Sequence, residues 1–308
     1  MVFYYTYWEF EENQLEPAKT NRFNSDILLF SIALLVNVYP ESQIKIIVYN
    51  QIPDSFKIFK LFQNVTIINL KPYINKKQEQ NELLNIKHNN CKHSPLLLSK
   101  PIDVFNIAKQ NNENFILLDI DFFLFKPFQN LDFTKVGFLY YNQNVSNVNT
   151  GLVASGTTSF ECNYFFELYE SFLKLFNNEK ETIKNKIIYN VYNTHESLQE
   201  EIVMSNITQK FKELKDLVFY DITNKNHQLY WPELDLDYQN NIHAYKLLKK
   251  RICPVLTQCE YIQKVLINKN IQDKLKHYMK EQEFNQEEQR LIKNINDSMP
   301  VKDKRIFL

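Results

Sequence analysis

Phe115-Ile116-Leu117-Leu118-Asp119-Ile120-Asp121-Phe122-Phe123-Leu124-Phe125-Lys126-Pro127 is an apolar run interrupted by two carboxylates and closed off by a proline. Such a run reads as a strand buried on both faces, as in a parallel sheet, because a strand with one wet face alternates apolar and polar residues. Positions i and i+2 of a strand point to one side. Asp119 and Asp121 are therefore expected to direct both carboxylates the same way, with Ile120 facing the core. Left alone at the rim of an apolar strand, the two acids repel each other and lose hydration, so something positive is expected between them. A divalent metal meets that need. Mg²⁺ or Mn²⁺ held by one or two carboxylates normally completes its shell with substrate phosphates, which points to a diphosphate-bearing ligand. The structural alternative for Asp-x-Asp by itself is a capping or solvated pair in a βα turn.

Upstream, residues 2–7 form a β-branched and aromatic run, residues 26–37 an apolar helix behind the capping candidate Ser25, residues 44–49 a strand, 54–62 a short amphipathic helix and 65–70 a strand. Strand–helix–strand alternation implies a mostly parallel sheet with helices on its faces and ligands beyond the carboxyl ends of the strands. Residues 71–95 are polar and read as an exposed connection, followed by a helix over 100–111. Downstream, strands are expected at 135–141 and 149–154, a long helix at 159–176, a helix at 193–206 and a strand at 218–221. From about residue 257 helix formers dominate, with Ile262, Val265, Leu266, Ile271, Leu275 and Tyr278 forming an apolar stripe. The division this suggests is a main domain over 1–256, with halves 1–125 and 126–256, and a helical extension over 257–308. The stripe is expected to pack on the main domain; a homodimer or acceptor-protein contact is the alternative.

Composition narrows the function classes. The 308 residues carry 36 Lys plus Arg against 36 Asp plus Glu, so the formal net charge is zero and long-range attraction to nucleic acid is weak. The mean hydropathy of −0.40 and the absence of an apolar run of spanning length describe a globular chain without a membrane span. Only three glycines occur, Gly137, Gly151 and Gly156, which excludes a G-x-G-x-x-G dinucleotide loop. Gly151 to Gly156 has phosphate-loop spacing, but Thr157 stands where that loop needs lysine. Glycines this sparse are expected where backbone turns left-handed or approaches a ligand closely. Four cysteines without C-x-x-C, and an amino-terminal stretch without the basic start and small-residue exit of a signal peptide, point to a reducing, cytoplasmic setting. His88-x-x-Cys91-x-His93 lacks a fourth zinc partner and reads as a polar loop.

An apolar strand, Asp119-x-Asp121 and a further apolar stretch, then Asn149-Thr150-Gly151, then His243-Ala244-Tyr245-Lys246 form an ordered set. In this the chain resembles the GT-A-fold nucleotide-sugar glycosyltransferases, and among them the glycogenin-like sequences, over roughly residues 3–250. Those enzymes commonly carry H-x-x-G-x-K, where this chain has the shorter H-x-x-K. The resemblance implies an α/β fold of GT-A type, Rossmann-like, and a Mn²⁺ or Mg²⁺ cofactor held by Asp119, Asp121 and His243. It implies a nucleotide-sugar donor, a UDP-sugar by preference, with Asp119 at the donor, Asn149 and Gly151 at its sugar, Lys246 at the diphosphate, and Thr6, Tyr7 and Trp8 at the base. The acceptor, whether glycan, protein or small molecule, is left open. Physical chemistry agrees, since a neutral imidazole suits the metal and a lysine three positions on shares its side of a helix. Tyr7 and Trp8 could equally be core aromatics.

Ser197-Leu198-Gln199-Glu200-Glu201 offers the acid for the chemistry. Ser197 with Glu200 matches a capping box, which gives Glu200 a structural role of its own; Glu201 has none. By the resemblance, a carboxylate here acts as general base if the enzyme inverts, or positions the sugar and stabilises oxocarbenium charge if it retains; retention is expected. Two other readings stand beside the enzyme: a catalytically silent sugar- or nucleotide-binding module, and a haloacid-dehalogenase-type phosphatase. Against the phosphatase, Phe122-Phe123 follow the acids where that family has a small or β-branched residue.

Overall fold

In the computed structural model all seven residues of β1, Val2–Trp8, are buried, as aromatic and β-branched side chains require when both faces of a strand are covered. The structure describes residues 1–8, 25–49, 52–70, 94–120, 122–124, 127–128, 131–140, 148–178, 204, 207, 229–230, 258, 269–276, 283–286, 288–290 and 292–293. β1 lies inside a six-stranded sheet with β2 (Gln43–Tyr49), β3 (Val65–Asn69), β4 (Phe115–Leu118), β6 (Gly137–Tyr140) and β7 (Val148–Ser155). The order is β3-β2-β1-β4-β7-β6. The first four strands are mutually parallel, β7 runs antiparallel to β4, and β6 antiparallel to β7. The helix-flanked α/β sheet expected from the sequence is present, with four parallel strands and two antiparallel ones; apart from β4, its strands fall within one or two residues of the expected bounds.

Alternation along β1 sorts the core into two layers. Phe3, Tyr5 and Tyr7 join Ile44, Ile46, Val48, Ile116 and Leu118 beneath helix α1 (Ser25–Val38) and a 3-10 helix, Asp54–Leu61. Val2, Tyr4 and Trp8 join Phe115, Leu117 and Val153 on the other face, against α2 (Ser94–Gln110) and α3 (Phe160–Asn178). There Phe105 of α2 stacks on Phe166 of α3 at 4.1 Å. The hydroxyl of Ser159 caps α3 by accepting from the Cys162 N–H at 3.1 Å.

Three expectations are corrected. The apolar run is not one strand: β4 ends at Leu118, the chain turns with the Phe122 N–H donating to the Asp119 carbonyl at 3.0 Å, and Phe123–Leu124 (β5) pairs antiparallel with Leu229–Tyr230 (β8) in a second sheet. The second helix begins at Ser94, not Lys100. Pro95 suits a first turn, while Pro101 sits inside the helix, where it withholds an N–H from the preceding turn. No glycine takes a positive φ. Gly156 is needed for space instead, since a Cβ there would lie 2.1 Å from the Phe133 carbonyl oxygen.

Of the carboxyl-terminal stripe, Ile271 and Leu275 on α4 (Lys269–Leu275) are buried in the α1 layer, and the Lys274 ammonium lies 4.3 Å over the Phe62 ring. Ile262, Val265, Leu266 and Tyr278 lie outside the described residues. Asn285 and Glu288 form a reciprocal cap, each side chain accepting from the other's N–H at 2.9 Å. Within the expected helix over 193–206 only Met204 is described, helical and buried; the strand at 218–221 lies outside the described residues. Among the described residues no helix is long and apolar enough to cross a membrane.

Candidate functional site

Strand order locates the crevice before any side chain is considered. From β1 the chain builds outward to β2 and then β3; β4 comes back to pair with the opposite edge of β1. The order therefore reverses between β1 and β4, and beyond the carboxyl ends of two such strands lies the natural ligand crevice of an open parallel sheet. β1 outruns its neighbour there: its pairing with β4 stops at Tyr5↔Leu118, while Thr6, Tyr7 and Trp8 continue against Ile47, Val48 and Tyr49 of β2. One wall is thus the last three residues of β1, and the other is Asp119.

Asp119 follows Phe115 and Leu117 in the strand alternation and so turns toward α2. There its Oδ1 accepts from the Lys100 ammonium at 2.6 Å, with the lysine side chain 2 % exposed and the aspartate 32 %. An ammonium this deep must be paired, because the cost of leaving an uncompensated buried charge is several kcal/mol. Its helix is held to the sheet a second time, one turn on. The Tyr49 hydroxyl donates to Asp103 Oδ2 at 2.7 Å, and burial together with the Asp103 charge pushes that phenol well above its ordinary value. Two polar bonds from one helix thus span from β2 across β1 to the end of β4.

The Asp119 N–H donates to the Gly151 carbonyl at 2.9 Å, one step beyond the Leu118↔Leu152 pair, so two residues singled out from separate motifs are cross-strand neighbours. β7 is irregular at this point. Phe138 pairs with Val153 but Leu139 pairs with Asn149, so a single step along β6 spans four along β7, and Thr150, Gly151 and Leu152 form a bulge. Bulges re-aim the chain and concentrate beside functional sites. This one falls on the Asn149-Thr150-Gly151 element.

Thr6, Tyr7 and Trp8 are at the expected strand end and are buried. Tyr7 packs its ring on Phe56 at 4.7 Å in the α1 layer, and Trp8 packs on Tyr49 at 6.0 Å in the α2 layer. Asp121, Glu200, Glu201, His243 and Lys246 lie outside the described residues. Among the described residues no three His, Cys, Asp or Glu side chains gather as a metal cluster. Asp119 has Oδ1 on lysine and about a third of its side chain open to solvent, and a carboxylate oxygen is a hard donor of the kind Mg²⁺ and Mn²⁺ take.

Lys100 is the site residue that sequence reading overlooked. A signal was present: Lys100, Val104 and Ala108 recur at helical spacing, so a cation stands on the buried stripe of its own helix. A lysine there needs an anion, and the nearest apolar strand to follow ends in two.

No family model matches the chain, and no curated protein does. Among solved structures it is similar to the PaToxG glycosyltransferase, at 14 % identity over 96 % of this chain and 85 % of that one, with a TM-score of 0.39. It is similar to apo mouse xyloside xylosyltransferase 1 at 10 % identity over 71 % of this chain and 83 % of that one, TM-score 0.43. It is also similar to the glycosyltransferase GlyE of Streptococcus pneumoniae TIGR4, at 10 % identity over 92 % and 66 %, TM-score 0.39. At these identities and scores the likenesses assign no activity to this chain.

Proposed function

We propose that the protein is a metal-dependent glycosyltransferase of GT-A fold that moves a sugar from a nucleoside-diphosphate sugar, with UDP-sugar as the favoured donor, to an acceptor hydroxyl with retention. The observation that supports this most is the position of Asp119. It stands at the carboxyl end of a central strand, at the point where strand order reverses, and is bonded through its backbone to Gly151 of the Asn149-Thr150-Gly151 element.

In this reading the end of β1, Thr6 to Trp8, takes the base, and Asn149 and Gly151 line the sugar end of the donor. Lys100 holds the Asp119 carboxylate in one orientation from beneath. Asp119, Asp121 and His243 would hold Mn²⁺ or Mg²⁺, which when bound would supply charge neutralisation for the departing diphosphate. Lys246 adds a second positive charge against the same phosphates, stabilising charge where it develops. Glu201 or Glu200 meets the acceptor hydroxyl or the sugar ring.

Incubation with a panel of nucleotide sugars and Mn²⁺ tests the proposal. The expected result is slow release of nucleoside diphosphate from one donor, lost on chelation with EDTA and reduced about 100-fold or more in Asp121→Ala. If the protein binds a nucleotide sugar but never turns it over, the silent binding module is the better description. Cleavage of simple phosphate esters without a nucleotide identifies a phosphatase. Neither turnover nor Mn²⁺-dependent nucleotide binding with any donor rejects the proposal.

A further inference from the structure

Between Ile27 and Leu35, α1 carries one polar residue, Ser31, among eight buried apolar ones. A hydroxyl in such a place costs free energy unless it is bonded. Serines inside helices commonly satisfy themselves on the carbonyl one turn back. Ser31 instead reaches a residue 91 positions away: its Oγ donates to the Phe122 carbonyl at 2.6 Å. A serine hydroxyl has one hydrogen. Its contact with the Tyr5 hydroxyl, at 3.1 Å, is therefore one in which Tyr5 donates and Ser31 accepts. The buried relay runs from the Tyr5 O–H to the Ser31 O–H to the Phe122 C=O, out of β1, through α1 and into the turn that follows β4. Members of such a chain polarise and strengthen one another.

Phe122 is also tied through its N–H to the Asp119 carbonyl at 3.0 Å, so both of its backbone polar groups are engaged. Asp119 in turn is tied to Gly151 by its N–H and to Lys100 by its carboxylate. The turn is thereby gripped from both faces of the sheet, by α2 through Lys100 and by α1 through Ser31. Ile120 and Phe122, the neighbours of position 121, are both buried under α1.

We propose that Ser31, backed by Tyr5, is a positioning residue for the Asp119 carboxylate: it sets where the turn leaves the sheet and so where the acid meets a donor diphosphate. What Asp119 binds rests on the glycosyltransferase reading; the placement of the turn does not.

Two measurements on the full chain test it. In hydrogen exchange without ligand, Ser31→Ala raises the exchange of the amides of residues 119, 120 and 122 about tenfold while the amides of β1 and β2 are unchanged, the size expected for one lost hydrogen bond. In calorimetric titration with UDP and MnCl₂, Ser31→Ala binds about tenfold more weakly than wild type, and adding it to Asp119→Asn causes no further loss, because it acts through that carboxylate. Tyr5→Phe leaves the Ser31 donor in place and is expected to give about a threefold effect in both, which keeps the test available if Ser31→Ala does not fold. Unchanged exchange in the turn overturns the proposal. So does local loosening with wild-type UDP–Mn²⁺ affinity, or an equal loss in the Asp119→Asn background, either of which marks Ser31 as merely structural. If wild type itself binds no UDP with Mn²⁺, the functional reading fails, and the exchange experiment alone supports or overturns the placement of the turn.

Discussion

A lysine ammonium almost wholly removed from water and a carboxylate still about one-third exposed make an unequal pair, and the inequality predicts which partner is costlier to lose. Asp119→Asn keeps the shape but leaves the Lys100 charge facing a neutral amide in the interior; about 2 kcal/mol of destabilisation is expected. Lys100→Met removes the buried charge and leaves a carboxylate that still reaches solvent, so its cost is about 1 kcal/mol or less. The double variant should be less destabilised than the sum, because each substitution removes what made the other costly. Urea denaturation midpoints at equal m-value measure all three. A fully additive set, or Lys100→Met as the more damaging change, contradicts the assignment of the pair. The same geometry explains why the lysine evaded sequence reading while the aspartate did not. Asp119 sits in a pattern whose meaning is local, an apolar strand ending in an acid, whereas the role of Lys100 depends on how its helix crosses the sheet.

At the scale of elements, the joint between β7 and α3 shows space rather than conformation determining a residue. Gly156 has ordinary φ, yet the Phe133 carbonyl passes so close that any Cβ would overlap backbone. Gly156→Ala is expected to cost about 3 kcal/mol, as overpacking against immovable atoms does, and to lower the thermal midpoint without changing far-UV circular dichroism at low temperature. A variant as stable as wild type removes that explanation. Strands at β1, β2 and β3 were legible because β-branched and aromatic runs separated by turn residues carry local information. Their parallel pairing was legible because a helix intervenes between successive strands. The break after Leu118 was not, since its cause is a serine on α1 and the pairing of β5 with the distant β8. The early start of α2 was hidden by a polar segment before it and by Pro101 within it. In the candidate site, Asp119 and Gly151 were each marked by a short motif, but their mutual hydrogen bond arises from β7 returning antiparallel beside β4, a topology that spacing alone does not specify.

Across the whole molecule the core is phenolic as well as aliphatic, and this gives it a characteristic response to base. Among the described residues, Tyr4, Tyr5, Tyr39 and Tyr49 are held neutral by their surroundings. Burial pushes the Tyr4 phenol far up, reinforced by its bond to Glu113 at 2.6 Å and by that carboxylate's charge. Burial likewise pushes Tyr5 far up, and burial with the Asp103 charge pushes Tyr49 up. Tyr39 is pushed up to about 12 by burial, opposed by its bond to the Phe128 N–H. Each phenol binds its proton more tightly folded than unfolded, so above pH 10 the unfolded chain holds fewer protons and the free energy of unfolding falls as pH rises. The stability due to these neutral groups is fully present below the unfolded value near 10 and is lost as pH climbs through the folded values. These four phenols should therefore ionise only in a late, cooperative step, above the ordinary tyrosine range, that coincides with loss of circular dichroism. Replacing Tyr39 with Phe should move that step to higher pH, since one phenol no longer draws the chain toward the unfolded, ionised state. Tyrosinate absorbance followed in parallel with circular dichroism tests this. Ionisation of these four near pH 10 with the dichroism intact would mean that water reaches β1 and β2 freely, and that the two-layer core does not exclude it.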